Sequence, residues 1–436
     1  MISVLLADVA ILMVLMVIGV PVALCFAAAV LFLVLVGDYG SATFLVPAGL
    51  GKISSIVLVA IPLYILAGNL MIHGGLAGRL VDLAESLVGR FRGGMGIVVV
   101  LTMAVFGAIS GMASSAVAAV GSILIPRMVE LGYDRGYATS LVACSSVLAL
   151  LFPPSASMIL YGWVTNTSIT ALFLAPIVPG LILVVLYCAV NQFLTRRMPI
   201  IVPASAPARE VVADVANKTK RASVGLLLPI VILGCIYGGI TTPTEAASVA
   251  VAFAIPVGFF VYKGLNRRTF YQAVWEAGAT SGLLILLIFF AAMLARLFTM
   301  ENVPQTILEA LLAITESKIG LLLLINFFLI IVGMFLDDAS GILLAGPMLL
   351  PVVQEIGVDP VQFGAIMGVS LGMGLITPPT APILYFAGMI GKTTLPLMLK
   401  PTMTFIVICY LPVLFLTTFI PALSLALPRL VLGYGG

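Results

Sequence analysis

Apolar runs close to the length of a membrane span recur along the whole chain. They lie near residues 4–36, 56–72, 95–108, 138–152, 171–193, 224–240 and 246–261, then near 280–298, 319–336, 363–376 and 403–427. A helix needs about 20 apolar residues to cross the hydrocarbon core of a bilayer. No soluble domain can bury so many such runs. Of the 436 residues 62% are hydrophobic and 8% charged, against roughly 45–50% and about 25% in an ordinary globular domain. The chain therefore reads as an all-α integral membrane protein, a polytopic helix bundle of about 11 spans. Soluble enzymes, nucleic-acid binders and disordered chains are excluded. A transmembrane barrel is disfavoured, because its strands alternate apolar and polar residues.

Charge placement gives the orientation. Arg196, Arg197, Arg209, Lys218, Lys220 and Arg221 gather in one polar stretch, which the positive-inside rule places in the cytoplasm. Lys263, Arg267 and Arg268 form a second basic cluster and Arg79, Arg90 and Arg92 a third, both placed on the same side. The run 4–36 is too long for a signal-peptide core, and Gly19-Val20-Pro21 is its natural break. Segments 76–91, 268–277 and 304–316 are amphipathic and suit the membrane surface. The 5 cysteines sit in apolar runs without a CxxC, as small core residues do. His73 is the only histidine, so neither a multi-histidine metal site nor an HExxH motif is possible. A phosphate-binding GxxxxGK[ST] loop is missing as well, so pumping would have to draw on an ion gradient or a partner.

The chain also resembles itself at a fixed offset of 225 residues. Residues 122–134 (SILIPRMVELGYD) align without a gap on 347–359 (PMLLPVVQEIGVD). Pro126 falls on Pro351, Glu130 on Glu355, Gly132 on Gly357 and Asp134 on Asp359. In the same register Pro153-Pro154 falls on Pro378-Pro379 and Ser115 on Ser340. Duplicated halves with Pro-interrupted segments at matching positions are the pattern of secondary transporters. Two successive prolines stop a helix and free carbonyls that have no partner. In lipid each would cost several kcal/mol, and a bound cation can satisfy them. Helix N-termini beside the break favour an anion. Each half pairs a small-residue segment with a helix broken at Pro-Pro: 107–122 with 151–157, and 335–347 with 375–382. The small-residue segments suit hairpins that dip partway into the membrane, although close packing of helices also uses small residues.

Ionisable residues at membrane depth are functional candidates. Asp337 and Asp338 follow an apolar run, Glu245 lies between two spans, and Arg296 ends the run that begins near Thr280. Glu245 also fits a structural role, since TTPTE reads as the capped start of a helix.

These strings resemble the large membrane subunit of tripartite ATP-independent periplasmic (TRAP) transporters. The likeness rests on IPLYILAGNLM (61–71), FGAISGMASSAVAAVGSILIP (106–126), LFPPSASMILYG (151–162), GGITTPTEAASVAV (238–251), MFLDDASGILLAGPMLLPV (334–352) and GLITPPTAPILYFA (374–387). The first small-residue tip reads SGMASS where the family more usually shows SGSS-like residues. The resemblance implies a sodium-coupled importer of small organic anions in the bacterial inner membrane. Its implied partners are a small four-span membrane subunit and a periplasmic binding protein. It implies inverted repeats, two re-entrant hairpins and an elevator motion, with amphipathic arms (76–91, 268–277) joining transport domain to scaffold. One sodium would lie among Ser110, Gly111, Ser114, Ser115 and Pro153-Pro154. A second would lie among Asp337, Asp338, Ser340 and Thr377-Pro378-Pro379. The substrate carboxylate would meet Arg296, with Ser114, Ser157, Asp337 and Thr380 nearby. The implied organisation is an N-terminal scaffold (1–55) and a first repeat (56–195) with hairpin 107–132 and broken helix 138–168. A cytoplasmic loop (196–222) and central spans with an arm (223–277) follow. The second repeat (278–427) has hairpin 337–357 and broken helix 362–390, before a tail (428–436). The rivals are a sodium symporter of divalent anions that needs no binding protein, and a channel or scaffold without coupling.

Overall fold

A computed structural model describes residues 2–36, 42–202 and 207–435. Among them, regular structure is helical throughout. The first helices are α1 (Ile2–Val17), α2 (Val22–Leu35), α3 (Ala42–Ile53), α4 (Ala60–His73), α5 (Leu76–Val88) and α6 (Gly94–Ser110). Next come α7 (Ala113–Ala116), a π-helical turn, α8 (Ser122–Glu130), α9 (Arg135–Ser146), α10 (Leu148–Leu151) and α11 (Ala156–Thr165). The middle of the chain holds α12 (Ile169–Leu174), α13 (Ile177–Thr195), α14 (Ala208–Tyr237), α15 (Pro243–Pro256), α16 (Arg267–Met300) and α17 (Val303–Ile314). The last are α18 (Lys318–Phe335), α19 (Asp338–Glu355), α20 (Pro360–Ile376), α21 (Pro382–Gly391), α22 (Leu395–Phe405), α23 (Leu411–Phe419) and α24 (Pro421–Leu432).

By length and composition, 8 described helical segments can cross a membrane, or 9 if one bent pair counts as a span. This is fewer than the count expected from the sequence. The difference lies in apolar helices of 10–17 residues, such as α2, α6 and α20, which are too short to cross unaided. The apolar start breaks where the sequence suggests, with Gly19 at φ +90° and Pro21 capping α2.

Two expectations are corrected. Segment 268–277 is no separate surface helix: it continues without a break into the 34 residues of α16. The Asn266–Thr269 capping box starts that helix, and no proline interrupts it. Its aromatic residues are nonetheless exposed, Tyr271 at 70% and Trp275 at 77%. The polar stretch 196–222 is helical from Ala208, where α14 begins, rather than a loop throughout. Positions 203–206, with Pro203, lie outside the described residues.

The repeat reappears in the element boundaries. With the same spacing that separates Pro126 from Pro351, α6 and α18 end at Ser110 and Phe335, and α7 and α19 begin at Ala113 and Asp338. α8 and α19 end at Glu130 and Glu355, and α9 and α20 begin at Arg135 and Pro360. The sequence dictates these ends. Gly132 and Gly357 take the left-handed conformation (φ +85° and +72°) that glycine tolerates. Asp134 and Asp359 then cap the next helices, accepting from Tyr137 N at 2.9 Å and Val361 N at 2.7 Å. In this register α17 stands where α5 does, which makes 304–316, not 268–277, the counterpart of the first amphipathic segment.

The two broken helices run antiparallel. The Tyr161 hydroxyl, near the end of α11, donates to the Pro360 carbonyl at the start of α20 (2.8 Å). The Arg135 guanidinium, at the start of α9, donates to the Gly391 carbonyl at the end of α21 (3.0 Å). Each helix therefore finishes where its counterpart begins. The basic clusters meet at one end of the molecule. Arg90 lies 3.4 Å from Asp214, Arg92 donates to the carbonyls of Arg196 and Met198, and Arg79 donates to the Tyr262 carbonyl and stacks on its ring. Their common placement by the positive-inside rule is thus matched by direct contacts.

Candidate functional site

Each repeat carries two chain breaks packed against one another. In the first, Gly111 (φ +64°) caps the end of α6 and Met112 is extended before α7 begins. The broken helix opens at Phe152, through a cis Pro153-Pro154 bond, to an extended Ser155. Its two limbs are bent by 43°. A β-carbon at Gly111 would lie 2.7 Å from the Pro154 carbonyl oxygen and 3.6 Å from Ser155 Cα. The two breaks are therefore in backbone contact, and only glycine fits. Pro153, Pro154, Ser155, Ser157 and Ser110 are all buried, whereas Ser115 is half-buried and Ser114 exposed.

In the second repeat α18 ends in an extended Leu336, and Asp337 caps α19, accepting from Ser340 N at 3.3 Å and from its hydroxyl. The opposing break runs from an extended Thr377 through a cis Pro378-Pro379 bond to Ala381 at φ +37°. The Thr380 hydroxyl donates to the Met334 carbonyl, which bridges the two breaks. α18 and α20 approach backbone to backbone, since a β-carbon at Gly374 would lie 2.5 Å from the Ile330 carbonyl oxygen. Gly374→Ala must part these helices, and overpacking of this kind costs about 1–3 kcal/mol. Thermal melting of the purified protein is expected to show that loss, and an unchanged melting point would contradict the close crossing. Asp337 and Pro379 are exposed and Asp338 is half-buried, so this pair of breaks is more open than the first.

The two sets of breaks are joined side chain to side chain: the buried Ser157 hydroxyl, one turn past the first Pro-Pro break, donates to Asp338 Oδ2. Ser155 is the residue that sequence reading missed here. Its buried hydroxyl has no hydrogen-bond partner among the described residues, while its counterpart Thr380 is satisfied. The duplication register pairs Ser155 with Thr380 and could have singled it out. Asp8 was also missed, hidden in the first apolar run. It is fully buried and finds no hydrogen-bond partner among the described residues.

Arg296 stands apart from the breaks. It lines a cavity of about 1140 Å³ and a smaller one of about 230 Å³. Ser114, Ser157, Asp337 and Thr380 line neither. Lys52 and Trp163 instead share both walls with Arg296. Lys52 Nζ lies 5.5 Å from the Trp163 ring centre, and the Arg296 guanidinium 5.2 Å from that of Phe44. Cations over aromatic faces are held without being neutralised, and among the described residues no carboxylate pairs with either. Glu245 closes a capping box, its carboxylate accepting from Thr242 N at 2.8 Å and the Thr242 side chain capping Glu245 N. That geometry is the start of a helix. His73 pairs with Glu276 at 2.9 Å. No cluster of three or more His, Cys, Asp or Glu side chains that could hold a metal occurs among the described residues.

Comparison with known proteins gives these features a context. Residues 9–423 match the family described as the tripartite ATP-independent periplasmic transporter, DctM component. The chain is 37% identical over 372 residues to the C4-dicarboxylate TRAP transporter large permease protein DctM of Pseudomonas aeruginosa, covering 85% of this chain and 86% of that protein. It is 33% identical over 407 residues to the sialic acid TRAP transporter large permease protein SiaM of Vibrio cholerae, covering 93% and 94%. The isethionate TRAP transporter permease protein DctMQ of Oleidesulfovibrio alaskensis is 36% identical over 415 residues, 94% of this chain but 64% of that longer protein. The chain thus spans less than two thirds of that relative. Among solved structures, the YdaH transporter of Alcanivorax borkumensis shares the fold at a TM-score of 0.57 and 19% identity, covering 88% of this chain and 89% of that one. The MtrF structure of Neisseria gonorrhoeae follows at 0.55 and 15%, covering 87% and 84%. The chain belongs to the DctM family: it is a large permease component of a tripartite ATP-independent periplasmic transporter, a multi-pass inner-membrane protein and not an enzyme.

Proposed function

We propose that this permease imports a small organic anion coupled to sodium, by an elevator motion of the domain that carries both repeats' breaks. The observation that carries the proposal is the antiparallel pair of helix breaks, each seated on a Pro-Pro break. Unwound backbone at membrane depth is tolerated only where protein or a cavity covers it, and its free carbonyls suit a hard cation. One sodium would bind among Ser110, Gly111, Ser115 and Pro153-Pro154, with the unpartnered Ser155 hydroxyl as a further ligand. A second would bind among Asp337, Asp338, Ser340 and Thr377-Pro378-Pro379. The re-entrant hairpins, expected over 107–132 and 337–357, would be the longer helix pairs α6–α8 and α18–α19, because Asp338–Glu355 is one continuous helix with no turn of its own. Arg296 would receive the acid group, for which its paired donors are suited. The curated relatives are named for C4-dicarboxylates, sialic acid and isethionate, all organic acids, which supports that cargo. A small membrane subunit and a periplasmic binding protein would complete the transporter.

The test is a sodium titration of thermal stability on the protein purified with a co-expressed small subunit. Choline and potassium hold ionic strength constant. A ligand confined to the folded state stabilises it by about 2.7 kcal/mol at 100 times its Kd. A saturable rise specific to sodium is expected, and it should shrink in Asp337→Asn, which removes charge yet keeps a capping side chain. A response equal in all three salts would overturn sodium coupling.

A further inference from the structure

The two cavities at Arg296 differ in chemistry, and the difference bears on the cargo. Lys52, Trp163 and Arg296 stand on the wall common to both, so two cations and an indole form the throat between them. The larger, outer space has polar side chains such as Thr43, Ser55, Asn166 and Thr167. The inner space holds about 230 Å³ and lies between α11, α16 and α19. Past the throat its wall is aliphatic, with Val164, Ile288, Ala292, Ala295, Leu343 and Pro347 on it. Thr299 is also there, but its hydroxyl already donates to the Ala295 carbonyl at 2.8 Å.

We propose that the transported acid is a small monoanion with a compact apolar body. Its acid group sits at the throat between Lys52 and Arg296, and its body fills the inner cavity. The inference rests on the reading of Arg296 as the acid-binding residue. Lys52 becomes a second recognition residue, steered by the Trp163 ring. A sugar acid would bring several hydroxyls against a wall whose one polar side chain past the throat, Thr299, is left only to accept, and a second carboxylate would be stranded there. Either is costly in an apolar space. A branched hydrocarbon chain loses nothing on entering it and gains by leaving water. The inner space is smaller than the roughly 300–1,000 Å³ of sites for drug-sized ligands, which restricts the body to a few carbons.

Isothermal titration of the permease with its small subunit, in lipid nanodiscs at saturating sodium, can compare 4-methylpentanoate, succinate and N-acetylneuraminate. The expected result is binding of 4-methylpentanoate about tenfold or more tighter than of the other two, the scale on which apolar pockets discriminate. Lys52→Gln should weaken all three. Ala292→Phe fills the inner space and should abolish the preference. Leu343→Ala enlarges it and should move the preference to a longer chain, so a folding defect in one variant leaves the other to decide. Succinate or N-acetylneuraminate binding as tightly as 4-methylpentanoate would overturn the assignment, as would a preference that ignores both variants. Arg296→Ala separates the two levels. If it abolishes binding while succinate is preferred in the parent, only the apolar class falls. If binding survives it, or if none of the three acids binds, the reading of Arg296 falls too.

Discussion

Gly111→Ala is expected to abolish sodium-dependent stabilisation and to cut uptake by the assembled transporter by about two orders of magnitude. Two costs add. Gly111 has φ +64°, a conformation that costs an L-residue about 1–2 kcal/mol. Its new β-carbon would also sit 2.7 Å from the Pro154 carbonyl oxygen. That neighbour is backbone beside a Pro-Pro pair, so it cannot turn aside as a side chain would. The breaks must separate, and the sum reaches about 2–5 kcal/mol. At about 1.4 kcal/mol per factor of ten, a site built from both breaks loses roughly 100-fold in affinity. Gly278→Ala is the matched control. Gly278 lies inside α16, where an added β-carbon meets nothing within 4 Å. Alanine there should leave sodium binding alone and stabilise the helix by up to about 1 kcal/mol. Wild-type sodium response in Gly111→Ala would show that the contact between the breaks is not the ion site.

That site was partly legible in the sequence, because duplication and proline both act through the backbone. A Pro-Pro pair stops a helix whatever packs around it. The offset from Pro153 to Pro378 therefore located both breaks without any three-dimensional information. The capped helix start at Thr242 was equally visible, because a cap is decided within one helical turn. Residues whose importance comes from distant neighbours were not legible. Lys52 carries no local signal of a role, and only the fold sets it over Trp163 and on the same cavity walls as Arg296. The Ser155 hydroxyl stands out only because burial leaves it unpartnered, whereas Ser157 next to it is bonded. Segment 268–277 misled for a related reason. Its amphipathic pattern is real and its aromatic residues are exposed, but no local signal says that the helix continues. Arg296, expected to meet the substrate carboxylate, lines two cavities. Its expected neighbours at the helix breaks do not line the same space, because the throat lies farther along α11 and α19.

Ser157→Ala is the second large effect, and it tests whether the two halves act as one unit. The Ser157 hydroxyl comes from the broken helix of the first repeat and its acceptor, Asp338, from the break of the second. A hydrogen bond to a charged group contributes about 1.5–3 kcal/mol, and Ser157 is buried at 1% exposure. No water can readily replace its hydroxyl. Its loss leaves a half-buried carboxylate short of a donor, and melting should fall by that order. Asp338→Asn should cost less, because an amide oxygen can still accept. In the double variant the second change should add little to the first, giving a coupling of about 0.5–3 kcal/mol. A consequence for transport follows from the same bond. If sodium binds at both pairs of breaks, occupation of one orders the residue that holds the other, so sodium dependence should be sigmoidal in the parent and closer to hyperbolic in Ser157→Ala. Additive melting shifts together with an unchanged sodium curve would mean that the repeats load independently.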